Sequence, residues 1–558
     1  MQLNKDINVE LFIFLIFIIS IIYYISSISV TIRRDISIFL SRTTVILLCC
    51  CSFISINLIN IYIYNKGLGV ISGLFYISSI TQVFKVFIYI VSMFILLLTS
   101  FYPRKYVNFY TWKEEPTSLL RDDNSSFIFN KMAEQFRILE YSLIIILILT
   151  GAIFLLSTGD FVSLFLCIEL QSYGLYLVCT LYKNSELATS AGLTYFLLGG
   201  LASCFILLGT ALFYSNSANT NLDSLHIISS LSDSSFNNIT GMFWYIPNYI
   251  SYSLLILIIG LLFKISAAPF HFWAPDVYDN IPTIVTTFVV LIPKLSILVF
   301  MLELIHYTGN ILTDVDFTWT SGILFSSFFS LIIGTLLGLT QSRIKRLYAY
   351  STISHLGFIL LALSVNSIES NQSFIFYLIQ YTISNLNAFI ILLAMGYGLF
   401  FYISDNIEYN KLHDKNNSPI QLINQIKGYH SLNPILALSL GITLFSFAGV
   451  PPLIGFFAKQ MILSSALDKG YVFLVLIAIL TSVVAAVYYL AIIRKMYFDK
   501  HEYITIKWGK YNTNNIVLSN YLTISISIIT ILILIFIIVP QEFLNLSNIL
   551  TLIVYTPS

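Results

Sequence analysis

Three lysines and one glutamate lie inside long apolar segments of the sequence, where a charged side chain is costly. The lysines are Lys264, Lys294 and Lys459, and the glutamate is Glu169. A charge at the depth of a bilayer costs about 3 kcal/mol or more and is retained mainly where function requires it. Because burial removes the hydration of an ammonium group, a buried lysine can both accept and release a proton near neutral pH. These side chains therefore predict proton transfer within a membrane.

Glu169 is the only acid that the sequence pattern places well inside an apolar segment, so it is the candidate partner of a lysine. A carboxylate about 4 Å from an ammonium interacts by about 4 kcal/mol at an effective dielectric constant near ~20. If Glu169 pairs with Lys264, forming and breaking the pair controls whether Lys264 keeps its proton. A purely structural ion pair is the alternative, but it leaves Lys294 and Lys459 unexplained.

His355 is a further candidate, in the middle of another apolar segment that also contains serines and a threonine. Histidine changes its charge near neutral pH, which suits a proton relay. A simple hydrogen-bonded role is the alternative, and the sequence leaves both open.

The composition is that of a protein with many membrane spans. Of the 558 residues, 57% are hydrophobic and 10% are charged, and the mean hydropathy is +0.86. Soluble domains contain about 25% charged residues. At about 20 apolar residues per span, the sequence predicts an all-α fold with fourteen spans: 9–30, 43–63, 83–101, 138–157, 161–182, 188–214, 251–268, 282–306, 320–340, 347–365, 374–402, 434–466, 472–493 and 516–540.

The basic residues outside the spans are distributed unequally between the two sides. Fourteen spans place both termini on one side, where the basic residues in or beside the connections are only Lys5, Lys66, Lys85 and Lys469. The other side holds most of the Lys and Arg residues, so the positive-inside rule predicts that it faces the matrix or cytoplasm. This assignment leaves Lys264, Lys294 and Lys459 as the only basic residues within spans.

Prolines interrupt two of the predicted spans close to a lysine. Pro269 follows Lys264, and Pro451 and Pro452 precede Lys459. Proline removes a backbone donor and breaks a helix, and interrupted helices at matching places in two repeats indicate the ion pathway of a transporter. The two breaks are five spans apart, which is an odd number and implies an inverted repeat. Simple kinks are the alternative.

The predicted organisation has four parts. Residues 1–137 contain three spans and a matrix loop, and residues 138–306 form the first five-helix repeat. Residues 307–498 form the second, inverted repeat, and residues 499–558 contain a loop and the last span.

Other chemistry has little support in the sequence. The six cysteines lie in apolar segments without the spacing of metal ligands, so we expect no metal and no disulfide. We also expect no cofactor in this chain, because no phosphate-binding loop or haem-ligand pattern is present. The first apolar stretch is too long for a signal peptide, and an amphipathic leader is missing.

Several segments resemble the antiporter-like subunits of respiratory complex I. The most specific is KISAAPFHFWAPDVY at 264–278, and the others are IELQS at 168–172, YSTISHLG at 350–357 and GVPP at 449–452. The resemblance extends over residues 138–500. One paralogue in that family has a glutamate where Lys459 stands, and another continues into a long lateral helix for which this sequence ends too soon.

The resemblance implies a fourteen-helix, proton-pumping subunit of the membrane arm, with quinone reduction in other subunits as the driving force. Glu169 and Lys264 match the acid–lysine pair of the family, Lys294 its central lysine and Lys459 its exit-side lysine. His355 fits a bridging position. The expected partners are other membrane-arm subunits and the lipid bilayer, including cardiolipin, but no nucleic acid. The isoleucine-rich composition suggests a mitochondrially encoded protein of the inner membrane.

Two alternatives remain at this point. One is a subunit of a stand-alone multi-subunit sodium/proton antiporter, which shares these motifs. The other is a structural scaffold of the membrane arm whose lysines no longer function.

Overall fold

The computed structural model describes residues 2–30, 36–59, 68–100, 138, 140–183, 185–225, 246–308, 319–405, 418, 420–500 and 520–555. Within these ranges the chain is almost entirely α-helical, which confirms the predicted all-α class. The predicted matrix loop at 102–137 lies outside the described residues.

The helices follow one another along the chain with short connections. They are α1 (Gln2–Val30), α2 (Ile36–Ile59), α3 (Ser79–Ser100), α4 (Glu140–Leu156), α5 (Phe161–Thr180), α6 (Glu186–Ser217), α7 (Ile246–Ile265), α8 (Trp273–Asn280), α9 (Thr283–Tyr307), α10 (Trp319–Leu339), α11 (Ile344–Val365), α12 (Ile368–Asp405), α13 (Pro434–Ala448), α14 (Ile454–Asp468), α15 (Val472–Tyr497), α16 (Asn520–Ile535) and α17 (Pro540–Tyr555).

Each predicted span coincides with a helix or, at 434–466, with the pair α13 and α14. Ten helices of the described chain are long and apolar enough to cross a membrane, whereas α4, α7 and α13 are apolar but shorter. Helices α16 and α17 form a pair bent by 89°. Length and composition thus support a polytopic membrane protein, and the count of fourteen crossings stays a prediction.

Some elements were not predicted. Helix α17 begins at Pro540, a residue favoured in the first turn of a helix because it needs no hydrogen-bond acceptor there. A small antiparallel hairpin joins β1 (Leu68–Val70) to β2 (Phe75–Ile77). Isolated bridges pair Phe75 with Thr158 and Asp160 with Asn221. The starts of α3 and α5 and the ends of α4 and α6 therefore lie together, at what we call the hairpin end of the bundle.

The interior of the bundle contains α9, α11 and α12, which are buried along nearly their whole length. By contrast, α1, α6 and α15 expose many leucine and isoleucine side chains. A helix that is apolar on every side and buried has no lipid-facing surface. Polar side chains on α9, α11 and α12 must therefore find partners within the protein.

Glycines allow α10 and α11 to pack closely. A Cβ atom on Gly334 would lie 2.6 Å from the backbone nitrogen of Ser354, and one on Gly357 would lie 2.6 Å from Ser330 Oγ. Small residues at a helix interface let the backbones approach within a membrane. This contact fixes the position of α11, which carries His355.

Both proline-containing segments separate two helices. Pro269 lies between the end of α7 at Ile265 and the start of α8 at Trp273. Pro451 and Pro452 lie between α13 and α14. Within the described residues, the segments 138–306 and 307–498 each contain six α-helices, with the proline-containing break between the fourth and the fifth. Their relation by inversion remains a prediction.

Candidate functional site

Glu169 on α5 and Lys264 in the last turn of α7 form an ion pair. Lys264 Nζ lies 3.1 Å from Glu169 Oε1, and the side chains are 8% and 13% exposed. Helix α7 ends one residue later, and Trp273 Nε1 donates a hydrogen bond to the Phe263 carbonyl oxygen at 3.0 Å. A cation at a helix C-terminus also interacts favourably with the carbonyl groups exposed there. The break thus places Lys264 next to both a carboxylate and an open helix end.

Lys294 lies in the middle of α9, directly after Pro293, and is 1% exposed. Its Nζ is 3.4 Å from Thr352 Oγ1 on α11 and 5.5 Å from the ring centroid of Tyr278 on α8. Among the described residues it forms no ion pair. A neutral hydroxyl and an aromatic face stabilise an ammonium less than a carboxylate does. Lys294 therefore lacks the charged partner that Lys264 has.

His355 on α11 lies between two tyrosines and is 4% exposed. Its Nδ1 is 2.7 Å from the Tyr377 hydroxyl, and its Nε2 is 3.2 Å from the Tyr489 hydroxyl. Lys459 is close enough to act on the ring electrostatically. Both ring nitrogens are thus engaged, and a hydroxyl can donate or accept at each. This geometry is compatible with a relay and with a purely structural histidine.

Lys459 on α14 is held by the broken end of α13. Its Nζ donates to the carbonyl oxygens of Phe447 at 2.8 Å and Ala448 at 3.1 Å. The last carbonyl groups of a helix lack intrahelical donors and form the negative end of its dipole. Gly449 ends α13 with a φ of +83°, and a Cβ atom there would lie 3.1 Å from Lys459 Cδ. The helix break therefore provides Lys459 with negatively polarised carbonyl oxygens, as Glu169 provides Lys264 with a carboxylate.

Additional polar groups lie between the charged residues. Tyr278 is close to Ser266, which follows the end of α7, and Tyr381 is close to Thr352. Among the described residues, Ser266 Oγ and the hydroxyls of Tyr278 and Tyr381 are buried without hydrogen-bond partners. Buried polar groups of this kind are usually satisfied by ordered water. Tyr278 lies beside Lys294, and the ring centroid of Tyr381 is 6.3 Å from that of His355.

Tyr377, Tyr381 and Tyr489 were not among the residues predicted from the sequence. Tyr377 and Tyr381 are four residues apart on α12, so one helix face presents both. Thr352 and His355 are similarly three residues apart on α11. This spacing, within otherwise apolar helices, was the available signal. Tyr489 had no such signal, because it stands next to Tyr488 in an apolar helix and adjacent aromatic residues are common in such helices.

An ion-pair network fixes α8 to the start of α11. Asp279 accepts a hydrogen bond from Arg343 Nη1 at 2.6 Å and forms an ion pair with Arg346, whose Nε is 3.2 Å away. Asp276 pairs with Arg346 at 3.0 Å. Lys345 Nζ donates to the Ile281 carbonyl oxygen at 2.7 Å. Because Tyr278 precedes Asp279 directly, the network also fixes the aromatic ring beside Lys294.

One sequence prediction was wrong. Lys85 was assigned to a polar connection, but it lies in α3, is 1% exposed and pairs with Glu10 of α1, which is also 1% exposed. Glu169 is accordingly not the only buried acid of the described chain. The reason is tertiary: α3 begins at Ser79 and packs against α1, α2 and α9, so a lysine near its start is enclosed by protein.

The described residues contain no group of three or more histidine, cysteine, aspartate or glutamate side chains that could hold a metal ion. The site consists of amino-acid side chains that carry or accept protons.

Comparison with known proteins identifies the family. Residues 158–485 match the family described as NADH:quinone oxidoreductase/Mrp antiporter, transmembrane. NADH-ubiquinone oxidoreductase chain 2 of Rhizopus oryzae is 43% identical over 92% of this chain and 95% of its own length.

Two solved structures share the fold. A chain of respiratory complex I from Thermus thermophilus with bound aureothin has a TM-score of 0.68 at 21% identity, covering 96% of this chain and 98% of that one. A chain of the Mrp complex from Dietzia sp. DQ12-45-1b has a TM-score of 0.72 at 15% identity, covering 99% and 98%. The resemblance inferred from the sequence motifs is confirmed. This chain belongs to the transmembrane subunit family shared by NADH:quinone oxidoreductases and Mrp antiporters.

Proposed function

We propose that this chain is a proton-translocating subunit in the membrane arm of an NADH:ubiquinone oxidoreductase. Its 43% identity to a protein named NADH-ubiquinone oxidoreductase chain 2 supports this assignment over nearly the whole length. The observation that carries the proposal is the enclosure of five ionisable side chains, the Glu169–Lys264 pair, Lys294, His355 and Lys459. We propose that they form a row of proton carriers in this order. In this proposal the chain binds no redox cofactor, and electron transfer takes place in other subunits.

The first step is control of Lys264 by Glu169. While the pair is closed, the carboxylate stabilises the ammonium of Lys264. When Glu169 moves away or becomes neutral, the buried ammonium loses this stabilisation and releases its proton. The proton passes through water between Ser266 and Tyr278 to Lys294. Lys294 can accept it because its own partners, Thr352 and the Tyr278 ring, are neutral.

The second step carries the proton from Lys294 to Lys459. Thr352 contacts Lys294, and Tyr381 is close to Thr352. His355, which contacts Tyr377 and Tyr489, is the group nearer to Lys459 in this step. Lys459 receives the proton at the carbonyl end of α13. Two ammonium groups in the same interior repel each other, so arrival of a proton at Lys294 favours release from Lys459.

We place the protein in the mitochondrial inner membrane, with the basic loops in the matrix and both termini in the intermembrane space. The unequal distribution of basic residues and the similarity to NADH-ubiquinone oxidoreductase chain 2 of Rhizopus oryzae support this location. Protons would then move from the matrix to the intermembrane space. The partners are other membrane-arm subunits of the complex and surrounding lipid, with cardiolipin as the proposed anionic component.

Replacing single lysines tests the proposal. In the assembled complex, we expect Lys264→Met or Lys459→Met to lower the proton-to-electron ratio while the complex still assembles, because methionine keeps the volume but cannot carry a proton. Lys469→Met is the control, since Lys469 is exposed after the end of α14. An undiminished ratio in the two buried variants contradicts the proposal.

A sodium/proton antiporter subunit is the second candidate, because the family and the fold include the Mrp complex. Co-purification with NADH-oxidising subunits, and inhibition of proton transport by a quinone-site blocker, would exclude it. Electroneutral sodium/proton exchange in the absence of NADH would favour it. Normal pumping after simultaneous neutralisation of Lys264, Lys294 and Lys459 would instead favour a scaffold.

A further inference from the structure

A second group of buried polar side chains lies in the N-terminal helices, apart from the row described above. Lys85 of α3 pairs with Glu10 of α1, and both are 1% exposed. Gln82 and Tyr89 lie one turn to either side of Lys85 on α3 and are 0% and 1% exposed. We call Glu10, Gln82, Lys85 and Tyr89 the N-terminal polar cluster. Neither the proposed pathway nor the sequence motifs account for it.

Several atoms of this cluster have no protein partner. Among the described residues, Glu10 Oε2, both amide atoms of Gln82 and the Tyr89 hydroxyl are buried without hydrogen bonds. Burying a polar group without a hydrogen-bond partner costs free energy, and native proteins satisfy such groups with ordered water. Four such atoms close to one ion pair indicate a hydrated space rather than a packed apolar contact.

Glu303 on α9 connects the cluster with the hairpin end of the bundle. Helix α3 packs against α9, and Lys85 acts electrostatically on Glu303, which is half-buried about one turn before the end of α9. Within the described chain, the Glu303 carboxylate makes no ion pair. Tyr307, in the next turn, interacts with Glu303 and with the exposed Asp223. Lys85, Glu303, Tyr307 and the exposed Asp223 are therefore near enough to one another to interact electrostatically in turn.

The charges of these groups suit exchange of one proton. Glu10, Lys85 and Glu303 carry one excess negative charge when all are ionised, and one bound proton makes the group neutral. A buried group with excess charge is unfavourable in a low-dielectric interior. The other titratable groups around it are Cys51, Tyr76, Tyr89, Tyr307 and Asp223.

We propose that Glu303, together with the Glu10–Lys85 pair, forms a further proton-exchange site that opens to the hairpin end of the bundle. In each exchange, the Glu303 carboxyl gives its proton to the adjacent water and becomes a carboxylate, which Lys85 stabilises. The next proton returns the group to neutrality. This inference rests on the proposed function, and the predicted topology makes the hairpin end the intermembrane-space side, where protons leave.

Glu303→Gln in the assembled complex tests the site, because glutamine has the same shape but cannot release a proton. We expect loss of a protonated-carboxyl band from the infrared difference spectrum between oxidised and NADH-reduced complex, and a lower proton-to-electron ratio. Glu303→Asp should restore the band at a shifted frequency, which a merely structural role would not produce. Glu369→Gln is the control, since Glu369 is exposed at the start of α12.

A second variant keeps the test independent of packing at Glu303. The double substitution Glu10→Gln and Lys85→Met removes both charges without leaving one unpaired. It should shift the Glu303 band, because the stabilising ammonium is gone. An unchanged band in this variant, or an unchanged spectrum and ratio in Glu303→Gln, overturns the inference.

Lys264→Met separates the two proposals. If it lowers the proton-to-electron ratio while Glu303→Gln behaves like the parent, only the further site is wrong. If Lys264→Met leaves the ratio unchanged, the proposed function itself is wrong.

Discussion

The ammonium of Lys294 lies 3.4 Å from the hydroxyl of Thr352, which joins the middle of α9 to α11. This contact crosses from the first predicted repeat to the second. It is also the only hydrogen bond from the Lys294 side chain to another described residue, since its other neighbour is the ring of Tyr278. A single neutral hydroxyl thus holds the central lysine of the row.

Thr352→Val should therefore weaken proton transfer through Lys294. Valine keeps the shape of threonine but leaves the ammonium without its partner, a loss of about 1–3 kcal/mol for a hydrogen bond to a charged group. We expect a lower proton-to-electron ratio in coupled vesicles, with NADH oxidation by uncoupled membranes less affected.

Thr335→Val provides the control for Thr352. Thr335 is buried to a similar degree, but its hydroxyl donates only to carbonyl oxygens of its own helix, such as that of Leu331 at 2.8 Å. Equal effects of the two substitutions would show that the loss at Thr352 concerns helix packing and not Lys294.

Gly449→Ala should disturb the position of Lys459. A residue other than glycine at a φ of +83° costs about 1–2 kcal/mol, and the new Cβ atom would press against the Lys459 side chain, 3.1 Å away. We expect faster thermal inactivation and a reduced proton-to-electron ratio.

Gly470→Ala separates these two effects. Gly470 has almost the same φ, +85°, but a Cβ atom there meets open space. The Gly470→Ala variant should therefore inactivate faster on heating, because of the backbone strain alone, but pump protons normally. If Gly470→Ala impairs pumping as much as Gly449→Ala, the contact with Lys459 is irrelevant.

Asp279→Asn should loosen α8. The Asp279 carboxylate is 2% exposed and pairs with two arginines, so its loss removes the shared partner of Arg343 and Arg346. Breaking a buried pair by removal of one partner costs about 3–5 kcal/mol. The arginines are 39% and 38% exposed, and solvent screening should keep the measured effect nearer the lower bound. Thermal inactivation of the purified complex measures it.

Asp276→Asn is the comparison for Asp279, because the Asp276 carboxylate is 67% exposed. Exposed pairs contribute about 0–1 kcal/mol. The half-life at elevated temperature should hardly change. A larger effect at Asp276 than at Asp279 would contradict the assignment of Asp279 as the centre of the network.

Gly334→Ala should prevent close packing of α10 on α11. The added Cβ atom would lie 2.6 Å from the Ser354 backbone nitrogen, which cannot move without its helix. Gly200→Ala is the matched helical control, because a Cβ atom there meets nothing within 4 Å. We expect Gly334→Ala to reduce the amount of assembled complex in blue-native gels, whereas Gly200→Ala should assemble like the parent.

The sequence alone determined the class of the protein and most of the charged residues of the site. An ammonium within an apolar segment is recognisable without coordinates, because its cost in a membrane does not depend on its neighbours. The same holds for the prolines, which end α7 and α13 through local backbone chemistry. Glu169, Lys264, Lys294, His355 and Lys459 were found in this way.

Only the tertiary structure decided which groups contact each of these five ionisable residues. The carbonyl groups that hold Lys459 belong to the preceding helix, across the break. The threonine beside Lys294 and the tyrosines around His355 come from segments more distant in sequence. Their side chains are common in ordinary membrane helices. Lys85 and Glu10 illustrate the same limit: each is near the start of a predicted span (83–101 and 9–30), where a charged side chain is expected to reach solvent. Burial there arises from packing of α3 against its neighbours, a property of the assembled bundle and of no single segment.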